Sequence, residues 1–205
     1  YMPGSNARAL EKARSLDADG FIFDLEDAVA PDAKEEARKQ VCDAVKAGGY
    51  AGRELIIRVN GLVTPWGRDD IMQAARSGAH ALLLPKVEGA GYIREVLSIM
   101  GVAGSPESMA IWCMMETPLA MLHAERIAAS SPRLGALVMG TSDLTKALAA
   151  QHTRDRLPML TSLGICMLAA RAFDVSILDG VQLDLENMES FEMACHQGHD
   201  MGFDG

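Results

Sequence analysis

The chain has 205 residues, 49% of them hydrophobic and 23% charged. That is the balance of an ordinary globular protein, long enough to bury one sizeable core. A formal net charge of −9 repels phosphate backbones and excludes nucleic acid as a general partner, while leaving room for a local basic pocket that takes an anion. No run of about 18 apolar residues offers a membrane span and no signal peptide is read at the start, so the expected setting is the cytoplasm, or the mitochondrial matrix in a eukaryote.

In chain order, Met2-Pro3-Gly4 reads as the end of a strand entering a turn. A helix over residues 5–16 follows, with Ser5 or Asn6 as its cap. Residues 20–24 form an apolar strand, and 31–48 a charged helix with Pro31 near its start and Gly48-Gly49 at its stop. Strands are then expected over 54–59, 80–85, 109–115, 134–139 and 176–178. Helices are expected over 66–77, 90–100, 118–129, 158–173 and 186–201.

Strands that are apolar almost throughout are covered on both faces, and their strict alternation with helices predicts a parallel sheet. The count points to a (β/α)₈ TIM barrel in one catalytic domain spanning 1–205. Both ends read as cut, with the eighth strand and a C-terminal segment outside this stretch. An open doubly wound sheet is the runner-up. Against it, no G-x-G-x-x-G follows the first strand and no G-x-x-x-x-G-K-[ST] occurs. Cys42, Cys113, Cys166 and Cys195 form no C-x-x-C pair and read as unbridged, buried thiols of a reducing compartment. The 13 methionines read as core filler, and His196 and His199 as solvated residues of the last helix.

Chemistry in a barrel gathers where strands end, and these strands end in polar residues: Asp24-Leu25-Glu26-Asp27, Arg58-Val59-Asn60, Pro85-Lys86, Glu116-Thr117-Pro118, Gly140-Thr141-Ser142-Asp143 and Asp179-Gly180. Glu116 and Asp143 follow neighbouring strands, whose backbones run about 4.8 Å apart. Carboxylates brought together need a shared proton or a cation, and two carboxylates plus water is a common way to hold Mg²⁺. The other reading makes them unrelated loop residues acting as caps. Thr117-Pro118 reads as a helix cap followed by proline at the first helical position, which fixes Glu116 at the strand end. Arg58, the last long side chain of an apolar strand, needs an anion: a substrate carboxylate, or Asp24 or Glu26 on the next strand, or each in turn. Asp24, Glu26 and Asp27 either serve proton transfer and metal-held water or cap and pair with Arg58 or Lys86. Lys86 either forms a Schiff base or pairs with carboxylates, which hold its amine protonated.

These segments, with Met2-Pro3-Gly4-Ser5-Asn6 before them and Gly202-Phe203-Asp204-Gly205 after, stand in an order that resembles the citrate lyase β-subunit-like family, which includes malyl-CoA, β-methylmalyl-CoA and citramalyl-CoA lyases. The resemblance implies a barrel, Mg²⁺ (or Mn²⁺) on Glu116 and Asp143, and Arg58 on the carboxylate of an α-keto acid. It also implies a coenzyme A thioester whose phosphates reach Arg8 and Lys12 on the first helix, and a trimeric or hexameric homo-oligomer. Asp24, Thr117 and Pro118 are expected beside the substrate, and Glu26, Asp27 and Lys86 join Arg58 as candidates for the chemistry. Family members continue past Gly205 into a segment that can carry a further catalytic aspartate. Ser142 stands where citrate lyase β subunits often have an acid, which leans the reading towards the CoA lyases.

The expected reaction is reversible cleavage of a 3-hydroxyacyl-CoA to an acyl-CoA and glyoxylate or pyruvate, with the metal as Lewis acid. The alternatives are the citrate lyase β subunit acting on an acyl-carrier-protein thioester, a malyl-CoA thioesterase or malate synthase-like activity, a metal-free aldolase, and a non-catalytic acyl-CoA-binding barrel.

Overall fold

The computed structural model describes residues 1–184 and 186–205. They divide into two compact units, residues 1–85 with 94–111, and residues 86–93 with 112–205.

The first unit carries β1 (Met2–Pro3), α1 (Ala7–Ala13), β2 (Gly20–Asp24), α2 (Lys34–Ala47), β3 (Glu54–Arg58), α3 (Gly67–Ala74), β4 (Ala81–Leu84) and most of α4 (Ala90–Ala103). Asn6 caps α1, its Oδ1 accepting the Arg8 and Ala9 backbone N–H groups at 3.1 Å each; this selects Asn6 over Ser5. The charged helix opens with a 3₁₀ turn over Pro31–Ala33 before α2 proper. Ala37, Val41, Cys42 and Val45 form its buried face, the spacing of an amphipathic helix laid on a sheet. Every residue of β4 is buried, as a parallel strand covered on both faces requires. Phe23 and Tyr50 meet edge to face, their ring centroids 5.4 Å apart, and the Tyr50 hydroxyl donates to the Leu10 carbonyl. The parallel register pairs Phe23 with Ile57 and Asp24 with Arg58. An acid and a base therefore stand side by side where two strands end.

The second unit carries β5 (Ala110–Met115, whose first two residues belong to the first unit), α5 (Pro118–Leu122), α6 (Ala124–Ala128), β6 (Leu134–Met139), α7 (Thr141–Ala147), α8 (Leu160–Ala172), β7 (Ser176–Leu178) and α9 (Met188–Met201). Its core includes Met115, Ile127, Leu137, Leu163, Cys166 and Ile177. Residues 203–205 run beside β7: the Asp204 N–H donates to the Ile177 carbonyl and the Asp179 N–H to the Gly205 carbonyl.

The strands form one sheet in the order β1 to β7, and the pairings β1–β2, β2–β3, β3–β4 and β6–β7 are parallel. The protein is thus an α/β fold with a seven-stranded sheet whose order follows the sequence. That order lacks the reversal a doubly wound sheet needs, which removes the runner-up architecture.

Three local expectations need correction. The helix expected over 118–129 is two short helices broken at His123, whose ring Nδ1 is 2.7 Å from the Glu88 carbonyl oxygen. Thr141–Ala147 is a helix rather than a strand end running into a loop. It is seven residues long and buries only Thr141, Leu144 and Thr145, too little apolar surface to show as a period. Among the cysteines, Cys42, Cys113 and Cys166 are buried, but Cys195 is exposed. No described helix is long and apolar enough to cross a membrane.

Candidate active site

The first unit gathers Asp24, Glu26, Asp27 and Arg58 at the ends of β2 and β3. The pairing is bidentate: Arg58 Nε donates to Asp24 Oδ1 at 2.7 Å and Nη2 to Oδ2 at 2.6 Å, the geometry that makes arginine–carboxylate pairs strong. Arg58 Nη1 faces Glu26 at 3.3 Å and Asp27 at 3.5 Å, and the Tyr1 ring lies 5.2 Å from the guanidinium carbon. Asp24 also accepts the Glu26 and Ala28 backbone N–H groups at 2.8 and 3.0 Å. It is buried, and Arg58 nearly so. Burial alone would raise the Asp24 carboxyl. The hydrogen bonds and charge of Arg58, with the two backbone donors, outweigh it and hold the group below the usual carboxylate range. Burial likewise works against the Arg58 charge, and Asp24 more than restores it. Asp24 thus anchors the guanidinium, while the Nη1 edge points towards Glu26 and the exposed Asp27.

A buried polar scaffold holds this cluster in place. Lys34 Nζ donates to the carbonyls of Leu25 (2.9 Å) and Glu26 (2.6 Å) and lies over the Trp66 ring. Asn60 Nδ2 lies within hydrogen-bond reach of the Leu25 carbonyl and of Asp70 Oδ2, which also accepts the Asn60 backbone N–H. Arg38 Nε donates to the other Asp70 oxygen at 2.6 Å. Sequence reading passed over Lys34, Arg38 and Asp70. The available signal was position: Lys34 and Arg38 lie four apart on the face of α2 that otherwise buries Ala37, Val41 and Val45, and Asp70 precedes buried Ile71 on α3. A charge at an apolar period must be paired.

The second unit carries Lys86, Glu116 and Asp143. Thr117 caps α5, its Oγ1 accepting the Ala120 N–H at 3.1 Å with Pro118 next in the chain, as the sequence predicts. Buried Glu116 accepts the Lys86 backbone N–H at 2.7 Å through Oε1. Gly140 closes over it from the end of β6: a Cβ there would overlap Glu116 Cβ and come 2.7 Å from Oε2, so only glycine fits without movement. Asp143 sits half-exposed in the first turn of α7, with Lys86 Nζ 3.8 Å from its Oδ2. Lys86 itself holds φ at +49°, a left-handed conformation that costs a non-glycine residue on the order of 1–3 kcal/mol. One left-handed residue thus stands against two carboxylates at this strand end.

The chain matches the HpcH/HpaI aldolase/citrate lyase family over residues 1–205. The chain belongs to this family. It is an enzyme of the aldolase and citrate lyase type. It is 47% identical over all 205 residues to a (3S)-malyl-CoA thioesterase of Cereibacter sphaeroides, covering 70% of that protein. Identity to the citrate lyase subunit beta of Leuconostoc mesenteroides is 31%, again over the whole chain and 70% of the relative. Among solved structures, the Mycobacterium tuberculosis citrate lyase beta subunit complexed with oxaloacetate and magnesium superposes with a TM-score of 0.81 at 26% identity, covering 98% of this chain and 86% of that one.

Oxygen donors are what a hard divalent cation takes. Glu116 and Asp143 offer only oxygens, and a cationic group already stands beside Asp143. No group of three or more His, Cys, Asp or Glu that could hold a metal occurs among the described residues. A pair of carboxylates that leaves the remaining positions to water and substrate suits Mg²⁺, which sheds its waters reluctantly. Arg8 and Lys12 lie exposed four residues apart on α1. A cavity of about 680 Å³ opens in the second unit beside Thr141, Met159 and Phe191. At its wall Arg156, also left-handed at φ +55°, reaches Asp179 at 2.7 Å and Gln197 at 2.6 Å.

Proposed function

We propose that the protein acts on a malyl-CoA-type 3-hydroxyacyl thioester, with Mg²⁺ or Mn²⁺ held by Glu116 and Asp143, and that it hydrolyses the thioester. The observation that carries this reading is the 47% identity, across the whole chain, to a (3S)-malyl-CoA thioesterase. Carbon–carbon cleavage to an acyl-CoA and an α-keto acid is the second reading. The family's aldolase and citrate lyase character and the oxaloacetate-bound neighbour favour it. The sequence motifs favour cleavage, and the identity to the thioesterase supports hydrolysis.

A metal at the pair would supply Lewis-acid polarisation of a substrate oxygen in either reaction. Arg58 binds the carboxylate that malyl-CoA shares with the keto acid. Asp24, bound along the Nε–Nη2 edge of the guanidinium, fixes its direction, so binding costs little reorganisation. Glu26 and Asp27, flanking Nη1, are the carboxylates proposed to carry protons. Thr117 and Pro118 border the substrate, and Arg8 and Lys12 take the coenzyme A phosphates. The trimeric or hexameric assembly, the closing strand of a TIM barrel and a cytoplasmic setting belong to the same proposal.

The test is product analysis with (3S)-malyl-CoA, with and without Mg²⁺. Malate and a new thiol identify hydrolysis; acetyl-CoA and glyoxylate identify cleavage. Glu116→Gln and Asp143→Asn should each lower metal-dependent turnover by about 100-fold or more. Turnover near the wild-type rate in both variants refutes the metal assignment.

A further inference from the structure

Lys86 makes two contacts at once. Its backbone N–H donates to Glu116 Oε1 at 2.7 Å, and its ammonium stands 3.8 Å from Asp143 Oδ2. One residue therefore holds both carboxylates of the candidate metal pair. Its backbone is left-handed, a conformation glycine would adopt without strain. Glycine in that place would keep the hydrogen bond to Glu116 and lose the ammonium. What the strained lysine adds over glycine is a positive charge beside Asp143.

We propose that Lys86 is the resident counter-cation of Asp143, competing with the metal for that carboxylate and displaced from it when the metal binds. The inference rests on the metal reading of Glu116 and Asp143. An ammonium and a dication on one carboxylate repel each other. Both side chains are about half exposed, so water screens the repulsion to a modest factor. In the metal-free protein the ammonium compensates Asp143. On metal binding the flexible lysine stem swings the charge into solvent, while the backbone N–H stays on Glu116. Lys86 is thus a positioning residue that sets how tightly the metal is held.

The experiment compares Mn²⁺ binding, read by electron paramagnetic resonance, in the wild type, Lys86→Met, Lys86→Arg and Asp143→Asn. Lys86→Met keeps the side-chain length and the non-glycine backbone, and should bind Mn²⁺ about three- to tenfold more tightly. Lys86→Arg, which keeps the charge, should stay within about twofold of the wild type. Independently of any variant, reductive methylation of Lys86 followed by peptide mass spectrometry should run at least twofold faster when the wild type is saturated with Mg²⁺. No Mn²⁺ binding to the wild type, or binding that survives Asp143→Asn, overturns the metal reading and this inference with it. Wild-type binding lost in Asp143→Asn, but unchanged or weaker in Lys86→Met, overturns this inference alone. An unchanged or slower methylation rate does the same.

Discussion

Asp24→Asn removes the charge that compensates Arg58 while keeping the size of the side chain. In the wild type the guanidinium makes two short bonds to Asp24, and both groups are largely out of water. Breaking a buried pair by removing one partner typically costs about 3–5 kcal/mol, because the other charge is left uncompensated. Glu26 and Asp27 stay within 3.3 and 3.5 Å of Nη1, which puts the expected loss at the lower end, about 3 kcal/mol. For a protein of this size that is a fall in Tm of roughly 6–12 °C. The pH dependence gives a second, sign-determined reading. The Asp24 pKa in the folded protein lies below its ordinary value of 3.8. The unfolded chain therefore binds the proton first, and the contribution is present above that value and lost as pH falls through the folded pKa. The gap in Tm between wild type and Asp24→Asn should be full at pH 7 and shrink below about pH 4. Thermal unfolding followed by circular dichroism across pH 3–8 measures both. A gap under about 2 °C at pH 7, or one that widens in acid, refutes the view of Asp24 as the anchor of Arg58.

Three further outcomes follow from the geometry. Asp70→Ala strips Arg38 of its buried partner and Asn60 of an acceptor; thermal unfolding should show a loss of about 3–5 kcal/mol, roughly 6–20 °C in Tm. Gly140→Ala drives a methyl group into Glu116, so calorimetry should show Mg²⁺ affinity falling at least about tenfold, with a destabilisation of about 1–3 kcal/mol from overpacking. Burial pushes the Cys42 thiol up to about 11 and the Cys166 thiol to about 12, and raises Cys113 as well. A disulfide reagent at pH 8 should therefore titrate only exposed Cys195 in the native protein, and four thiols after unfolding.

The sheet was legible because its signal is repeated. Each strand is a short apolar run with a helix after it, and the parallel order from β1 to β7 follows from that alternation. Helix interiors were legible for the same reason, and their ends were not. At the break, the His123 ring meets the carbonyl of Glu88, a contact 35 residues away in sequence that no local window contains. The helix over Thr141–Ala147 lacks an apolar stripe because one buried leucine and two threonines are all it turns inward.

At the site, residue identity was legible and division of labour was not. The polar ends of β2 and β3 announced an acid beside a base, yet the sequence left open whether Arg58 faces a substrate or Asp24. The register that pairs Asp24 with Arg58 decides the resting state: the Nε–Nη2 edge of the guanidinium belongs to Asp24, and Nη1 faces the two remaining carboxylates. A guanidinium pinned along one edge has its remaining donors held in direction, the preorganisation that the proposed carboxylate binding would use. The scaffold that keeps it so, from Lys34 and Asn60 through Asp70 to Arg38, was hidden among residues that a composition count enters as surface charge. Lys86 shows the same limit more sharply. Its sequence neighbours gave no hint of a left-handed backbone, and only that backbone, joined to the Glu116 and Asp143 contacts, separates a strand-end lysine from a device that sets metal affinity.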